Sequence, residues 1–233
     1  CKAERCMTIY FRYLAHNQSR TNILFMLKYM NMNNRATILS FLISLFLAIT
    51  FLVMSNNSFI IDFDNTVKTI LENNQSPIVY NLMLNITNIG DVLGTIIIFL
   101  IFGGFLFLKS KKSFYIFTIS APLSVILAEI FKYSIKRARP HNLLEQGFSF
   151  PSAHAIISTI FLLSSIFLIM PLIKNKFSSK FFLIITSIIF PLVAFSRIYL
   201  SVHFTSDVIA GILLGSASFL LATICCHKME NVL

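Results

Sequence analysis

Apolar runs of about 20 residues alternate with short polar links along most of this chain, and about 20 residues of helix cross the hydrocarbon of a bilayer. Six runs cover roughly 37–54, 90–108, 113–133, 153–173, 180–198 and 207–226. Thr95–Leu108 is almost unbroken apolar sequence, without the in–out alternation of a membrane strand. Pro122 and Glu129 interrupt the third run and Pro191 the fifth, breaks that spanning helices tolerate when neighbours satisfy the freed backbone groups. The pattern predicts an all-α, polytopic membrane protein, a six-transmembrane-helix bundle.

Composition agrees. Hydrophobic residues make up 56% of the chain, with 25 Phe, no Trp and only 12% charged residues, and the mean hydropathy is +0.79. Such values lie outside the range of soluble domains. The expected organisation is a basic tail over 1–36, one membrane domain over 37–226 and a short cytoplasmic tail over 227–233. Residues 1–36 mix Arg and Asn with stretches such as Ile23–Leu27, too short to span. Two readings stand for them: an interfacial amphipathic helix, or an extension preceding a start at Met30 or Met32. An acylated Cys1 would put this basic tail outside, against its charge. Cys1, Cys6, Cys225 and Cys226 have no metal-site spacing, and a cytoplasmic Cys225-Cys226 is not expected to be oxidised.

Charge between the runs orients the bundle. The tail before the first run carries Lys2, Arg5, Arg12, Arg20, Lys28 and Arg35; the second and fourth links carry Lys109, Lys111, Lys112 and Lys174, Lys176, Lys180. With six spans all of these share one side. The first long link, by contrast, has Asp62, Asp64 and Glu72 against Lys68. Both termini are therefore expected in the cytoplasm, and the opposite end of the bundle facing the periplasm or exterior. The net charge of +10 is then mostly a topology signal. A nucleic-acid partner explains it poorly, because the basic residues are dispersed among membrane links.

Polar residues at the span ends carry the candidate chemistry. Lys132 ends the third run and Arg139-Pro140 follows; a residue before proline is biased toward extended backbone, and guanidinium matches phosphate oxygens. Taken alone, such a cluster is more often a headgroup contact. Pro151-Ser152-Ala153-His154 opens the fourth run, with Ser152 at an N-cap position and free amides that favour an anion; a capped helix with an interfacial His explains the stretch equally well. Ser196-Arg197 ends the fifth run, and His203 precedes Asp207 by four residues at the start of the sixth. If that piece is helical, the carboxylate can bond one imidazole nitrogen and leave the other as a nucleophile.

Lys132-x6-Arg139-Pro140, Pro151-Ser152-Ala153-His154 and Ser196-Arg197-x5-His203-x3-Asp207 together resemble the three-part signature of the type 2 phosphatidic acid phosphatase superfamily, over roughly residues 37–226. One departure is Ala153, where that family usually has Gly. The resemblance implies a metal-independent phosphohydrolase with no cofactor. In it His203 would attack phosphorus and form a phosphohistidine, Asp207 would orient it, and His154 would protonate the leaving oxygen and then help activate water. Lys132, Arg139, Ser152, Ala153 and Arg197 would hold the phosphoryl group.

A site at the outer ends of spans suits a lipid phosphate whose tail stays in the bilayer. Undecaprenyl diphosphate is the favoured expectation, with phosphatidylglycerol phosphate and phosphatidic acid also fitting, and lipid A dephosphorylation the alternative. The run Gly147-Phe148-Ser149-Phe150 resembles bacterial members. Related vanadium-binding haloperoxidases are soluble, which six spans oppose. A non-catalytic anionic-lipid binder or transporter would not need the His203–Asp207 pair.

Overall fold

The computed structural model describes residues 32–140 and 145–230. The chain divides into two compact units, Cys1–Ala36 and Thr37–Leu233. Residues 1–31, with Cys1, Cys6 and most of the segment expected to form an interfacial helix, lie outside the described residues.

Eight α-helices and no strand occur among the described residues: α1 Met32–Met54, α2 Ser58–Asn73, α3 Pro77–Thr87, α4 Val92–Lys109, α5 Lys111–Ile135, α6 Ala153–Ser164, α7 Lys176–Tyr199 and α8 Thr205–Glu230. A π-helical turn and a 3-10 turn carry α6 on to Leu172. Six helical stretches are long and apolar enough to cross a membrane, namely Asn33–Met54, Val92–Lys109, Lys111–Ile135, Ala153–Leu172, Lys176–Tyr199 and Thr205–His227. The six-span all-α architecture is as the hydropathy pattern predicts.

The links are shorter than expected, and polar caps explain why. Ser110 accepts the Ser113 N–H at 3.3 Å, and Asn175 accepts those of Phe177 and Ser178 at 2.9 and 3.1 Å. Helix therefore begins at Lys111 and Lys176, in the middle of the basic stretches. At the other end α8 runs to Glu230, so most of the segment expected as a tail is helical.

The first long link is not a simple connection. Asn57 accepts the Phe59 N–H at 3.0 Å and starts α2, while Pro77 at the first position starts α3. A 3-10 turn over Asn88–Gly90 then leads into α4. Helix α2 packs on α7 and α8, and α3 packs on α7. Together they cover one end of the bundle.

Helix α6 is the central element, packed against α5, α7 and α8. Its crossing with α8 is close because of Gly211, where an added Cβ would lie 2.7 Å from the Ser152 carbonyl oxygen and 2.9 Å from the Ala155 Cβ. Small residues permit such approach of spanning helices. Phe102, Phe117, Phe161 and Phe190 pack edge-on or tilted with centroids 5.5–6.3 Å apart. Outward side chains such as Phe41, Leu100 and Leu108 are exposed, as a lipid-facing surface requires. Chain direction brings the ends of α5 and α7 and the starts of α4, α6 and α8 to one end of the bundle. Lys109, Lys111, Lys112, Lys174 and Lys176 lie at the other.

Candidate active site

Backbone hydrogen bonds shape the loop that follows α5. Lys136 takes a left-handed conformation, φ 52°, and ends the helix by donating to the Lys132 carbonyl. The chain then extends through Arg137 and Arg139. Ser149 pins this segment, its N–H donating to the Arg137 carbonyl at 2.9 Å and its hydroxyl to that of Ala138 at 3.1 Å. Both arginines consequently point toward the starts of α6 and α8.

The turn after α7 places His203. The N–H groups of Val202 and His203 both donate to the Arg197 carbonyl, at 3.2 and 3.1 Å, with Ser201 left-handed at φ 52°. Asp207, third residue of α8, reaches back to accept the Phe204 N–H at 2.9 Å, half of a capping box. His203 thus lies in a turn and not on a helix face. This corrects the helical pairing expected from the four-residue spacing. Asp207 Oδ2 stands 3.5 Å from His203 Nδ1, at the outer limit of a hydrogen bond, and Nδ1 has no other partner.

The opposite ring nitrogen is better defined. Arg139 approaches His203 Nε2 at 2.9 Å, and a guanidinium has only donors. Nε2 therefore carries the lone pair and Nδ1 the proton, facing Asp207. The imidazole is fully buried, and burial together with Arg139 and Arg197 outweighs the opposing pull of Asp207 to hold its pKa below the ordinary histidine value. His203 is neutral, with its lone pair directed at a cationic surrounding.

Arg197 is buried and donates to the Thr87 hydroxyl at 2.5 Å and to Glu145. The other Glu145 oxygen lies 2.9 Å from Arg139. Burial raises the Glu145 carboxyl, but Arg197 and Arg139 outweigh it and hold the group ionised. A carboxylate thus occupies the space between the two arginines. The Nε atoms of Arg139 and Arg197 and the Ser152 hydroxyl are buried without a hydrogen-bond partner, each an orphan costing about 1–3 kcal/mol.

Ser152 is the N-cap of α6 by position, yet its hydroxyl makes no cap bond, contrary to the expected capping role. Its N–H is tied to the Asp207 carbonyl at 3.1 Å, which joins the starts of α6 and α8. Ala153 follows as the first helical residue, among amides without intrahelical partners. His154 Nε2 donates to Asp91 at 2.9 Å. Gly90 makes that pairing possible, since an added Cβ would lie 2.5 Å from His154 Cδ2.

Lys132 is placed differently. Because α5 stays helical to Ile135, its ammonium meets Glu129 one turn back at 2.9 Å. The other seven residues expected from the motifs gather at the same bundle end. Sequence reasoning missed Asp91, Glu145, Thr87 and Arg137 as members. The Thr87-x-x-Gly90-Asp91 run before a span was an available signal; Glu145 and Arg137, polar residues of a link, carry none in their spacing. Asp91, Glu145 and His154 also present ligand atoms within 4.8 Å of one another, a set able to accept a divalent ion, so Asp207 is not the only carboxylate here.

Residues 112–230, half of the chain, match the PAP2 superfamily. The chain belongs to the PAP2 superfamily. It is 34% identical over 120 residues, 48% of this chain and 54% of the relative, to the undecaprenyl-diphosphatase of Sulfolobus acidocaldarius. It is 36% identical over 100 residues, 41% and 49% of the two chains, to the phosphatidylglycerophosphatase B of Bacillus subtilis. The chain spans about half the length of these curated relatives. Among PAP2 structures, the transmembrane PAP2-type phosphatidylglycerolphosphate phosphatase of Bacillus subtilis superposes with a TM-score of 0.69 at 24% identity, over 84% of this chain and 96% of that one. Aquifex aeolicus LpxE gives 0.50 at 22%, over 70% and 93%. At such identity these two likenesses concern the PAP2 fold alone.

Proposed function

We propose that this PAP2 protein is an integral-membrane phosphohydrolase that removes phosphate from a lipid phosphate or diphosphate through a phosphohistidine, without a metal. The observation that carries the reading is the buried, neutral His203, its Nε2 lone pair directed at Arg139 beside the unpartnered Ser152 hydroxyl and arginine Nε groups. The phosphoryl group takes the place of the Glu145 carboxylate. Arg139 shifts from Nε2 to the phosphoryl oxygens, and the freed Nε2 lone pair forms the P–N bond as the P–O bond to the lipid breaks. A His154 imidazolium paired with Asp91 gives its extra proton to the leaving oxygen and becomes neutral. Water then attacks phosphorus, His154 takes the water proton, and the P–N electrons return to Nε2. Arg139, Arg197, Ser152 and the first amides of α6 stabilise the charge on the equatorial oxygens, the main protein contribution to phosphoryl transfer, with Lys132 adding a nearby positive charge.

Undecaprenyl diphosphate is the favoured substrate, supported by the likeness to the undecaprenyl-diphosphatase of Sulfolobus acidocaldarius and by a site at span ends, where a headgroup lies while its tail stays in lipid. The site faces the periplasm or exterior and both termini the cytoplasm, a reading supported by the clustering of link lysines at the opposite bundle end. The test is phosphate release by the purified protein in detergent against undecaprenyl diphosphate, phosphatidylglycerol phosphate, phosphatidic acid and lipid A. Preference for undecaprenyl diphosphate supports the proposal. Turnover of lipid A alone replaces its substrate, and no release from any of them refutes it.

A further inference from the structure

Helix α2, which the family signature does not include, sends one carboxylate into the site. Asp64 is 1% exposed and accepts three hydrogen bonds: from Arg137 at 2.7 Å, from the Ser206 N–H at 2.9 Å and from the Ser206 hydroxyl at 2.5 Å. Ser206 is the second residue of α8, so Asp64 satisfies an amide that the helix itself leaves free. Arg137 stands between two acids. One terminal nitrogen meets Asp64, while the other meets Asp207 Oδ1 at 2.6 Å and the Ser206 hydroxyl at 2.7 Å. Its guanidinium also lies 4.2 Å from the centroid of the Phe204 ring.

We propose that Arg137, anchored by Asp64, is a positioning residue for the nucleophile: it fixes the Asp207 carboxylate so that Oδ2 faces His203 Nδ1 and the Nε2 lone pair faces the phosphate. The proposal rests on the reading of His203 as nucleophile. Asp207 is fully buried, and its bond to Arg137 is its shortest, whereas His203 stands 3.5 Å away. The imidazole by itself therefore cannot hold this carboxylate. Two of its constraints act on opposite oxygens, Arg137 on Oδ1 and the Phe204 N–H on Oδ2, and together they set the plane of the group. A lysine could not replace Arg137, because one ammonium lacks the planar fork that reaches Asp64 and Asp207 from separate nitrogens. Partners one step behind a reacting imidazole commonly govern its tautomer and orientation.

A purely structural role, docking α2 on α8, makes a different prediction from a positioning role. The experiment uses the full chain in detergent with Arg137→Lys, Asp64→Asn and the double variant Asp64→Asn/Arg137→Gln, which removes the Asp64–Arg137 pair together and leaves Asp207 held by the Phe204 N–H. Each is measured for thermal transition, kcat and KM on a lipid phosphate, and for the 15N resonances of His203, identified by their loss in His203→Ala. Expected are a kcat lower by roughly tenfold to a hundredfold, the scale of a misplaced reacting group, a KM within about twofold, and His203 nitrogens moving from one tautomer toward an average. Folded variants with parental kcat, or with unchanged His203 resonances, overturn the proposal. Should the single variants not fold, the double variant decides by the same criteria. A parent protein inactive on every lipid phosphate refutes the proposed function instead, while the His203 resonances still report the tautomer.

Discussion

Glu145 Oε2 lies 2.9 Å from Arg139, and its other oxygen meets Arg197. An internal carboxylate thereby offsets one of the two positive charges of the proposed phosphate cradle. Substrate binding must expel it, and so must a phosphate-like inhibitor.

Glu145→Gln should lower both KM for the lipid phosphate and the inhibition constant of orthovanadate, by up to about tenfold, the equivalent of ~1.4 kcal/mol of competing ion pair. Steady-state kinetics with vanadate as competitor checks this. A rise in both constants would show that Glu145 helps to bind the substrate.

His203→Ala should abolish turnover with the fold retained, and the acid-labile 32P incorporation expected of the parent should be absent from the variant. His154→Ala should cost roughly 10²–10⁴ on a lipid phosphate, the usual span for a general acid or base, and less on an aryl phosphate whose leaving group needs little protonation. Equal losses on both substrates would remove His154 from the acid role.

The nucleophile must be neutral to attack. Burial, Arg139 and Arg197 hold the His203 pKa below its ordinary value despite Asp207, so the unprotonated form persists to lower pH than in a free imidazole. The acidic limb of kcat/KM assigned to His203 is therefore expected below about pH 6.5. Arg139→Gln removes one depressing charge and should move that limb upward. A limb that stays in place would assign it to another group.

Activity should survive chelation, because in the proposed site Arg139 and Arg197 supply the positive charge that a metal would otherwise bring. Dialysis against EDTA followed by assay, with and without added Mg2+, checks this. Loss restored by Mg2+ would instead assign a metal to Asp91, Glu145 and His154.

Sidedness follows from single cysteines at Lys111 and Gln146 in a background lacking Cys1, Cys6, Cys225 and Cys226. A membrane-impermeant thiol reagent on intact cells should label position 146 and not 111. The reverse result would turn the site toward the cytoplasm.

Six spans and most of the site were legible in the sequence for a physical reason. Runs of about 20 apolar residues are a one-dimensional property, and Arg139, Ser152, His154, Arg197, His203 and Asp207 all stand at run ends, where polar side chains are otherwise unexpected. What no spacing conveys is which ends meet. Asp64 reaches Arg137 across 73 positions, His154 reaches Asp91 across 63 and Arg197 reaches Thr87 across 110. Those pairings depend on α2 and α3 folding back over one bundle end and on the close α6–α8 crossing at Gly211. Local pattern was misleading at one further point: His203 lies in a turn created by the Arg197 carbonyl and not on a helix. Span positions were set by the energy of moving residues out of water, which each segment carries by itself; the charge network was set by side chains that meet only after the helices have packed.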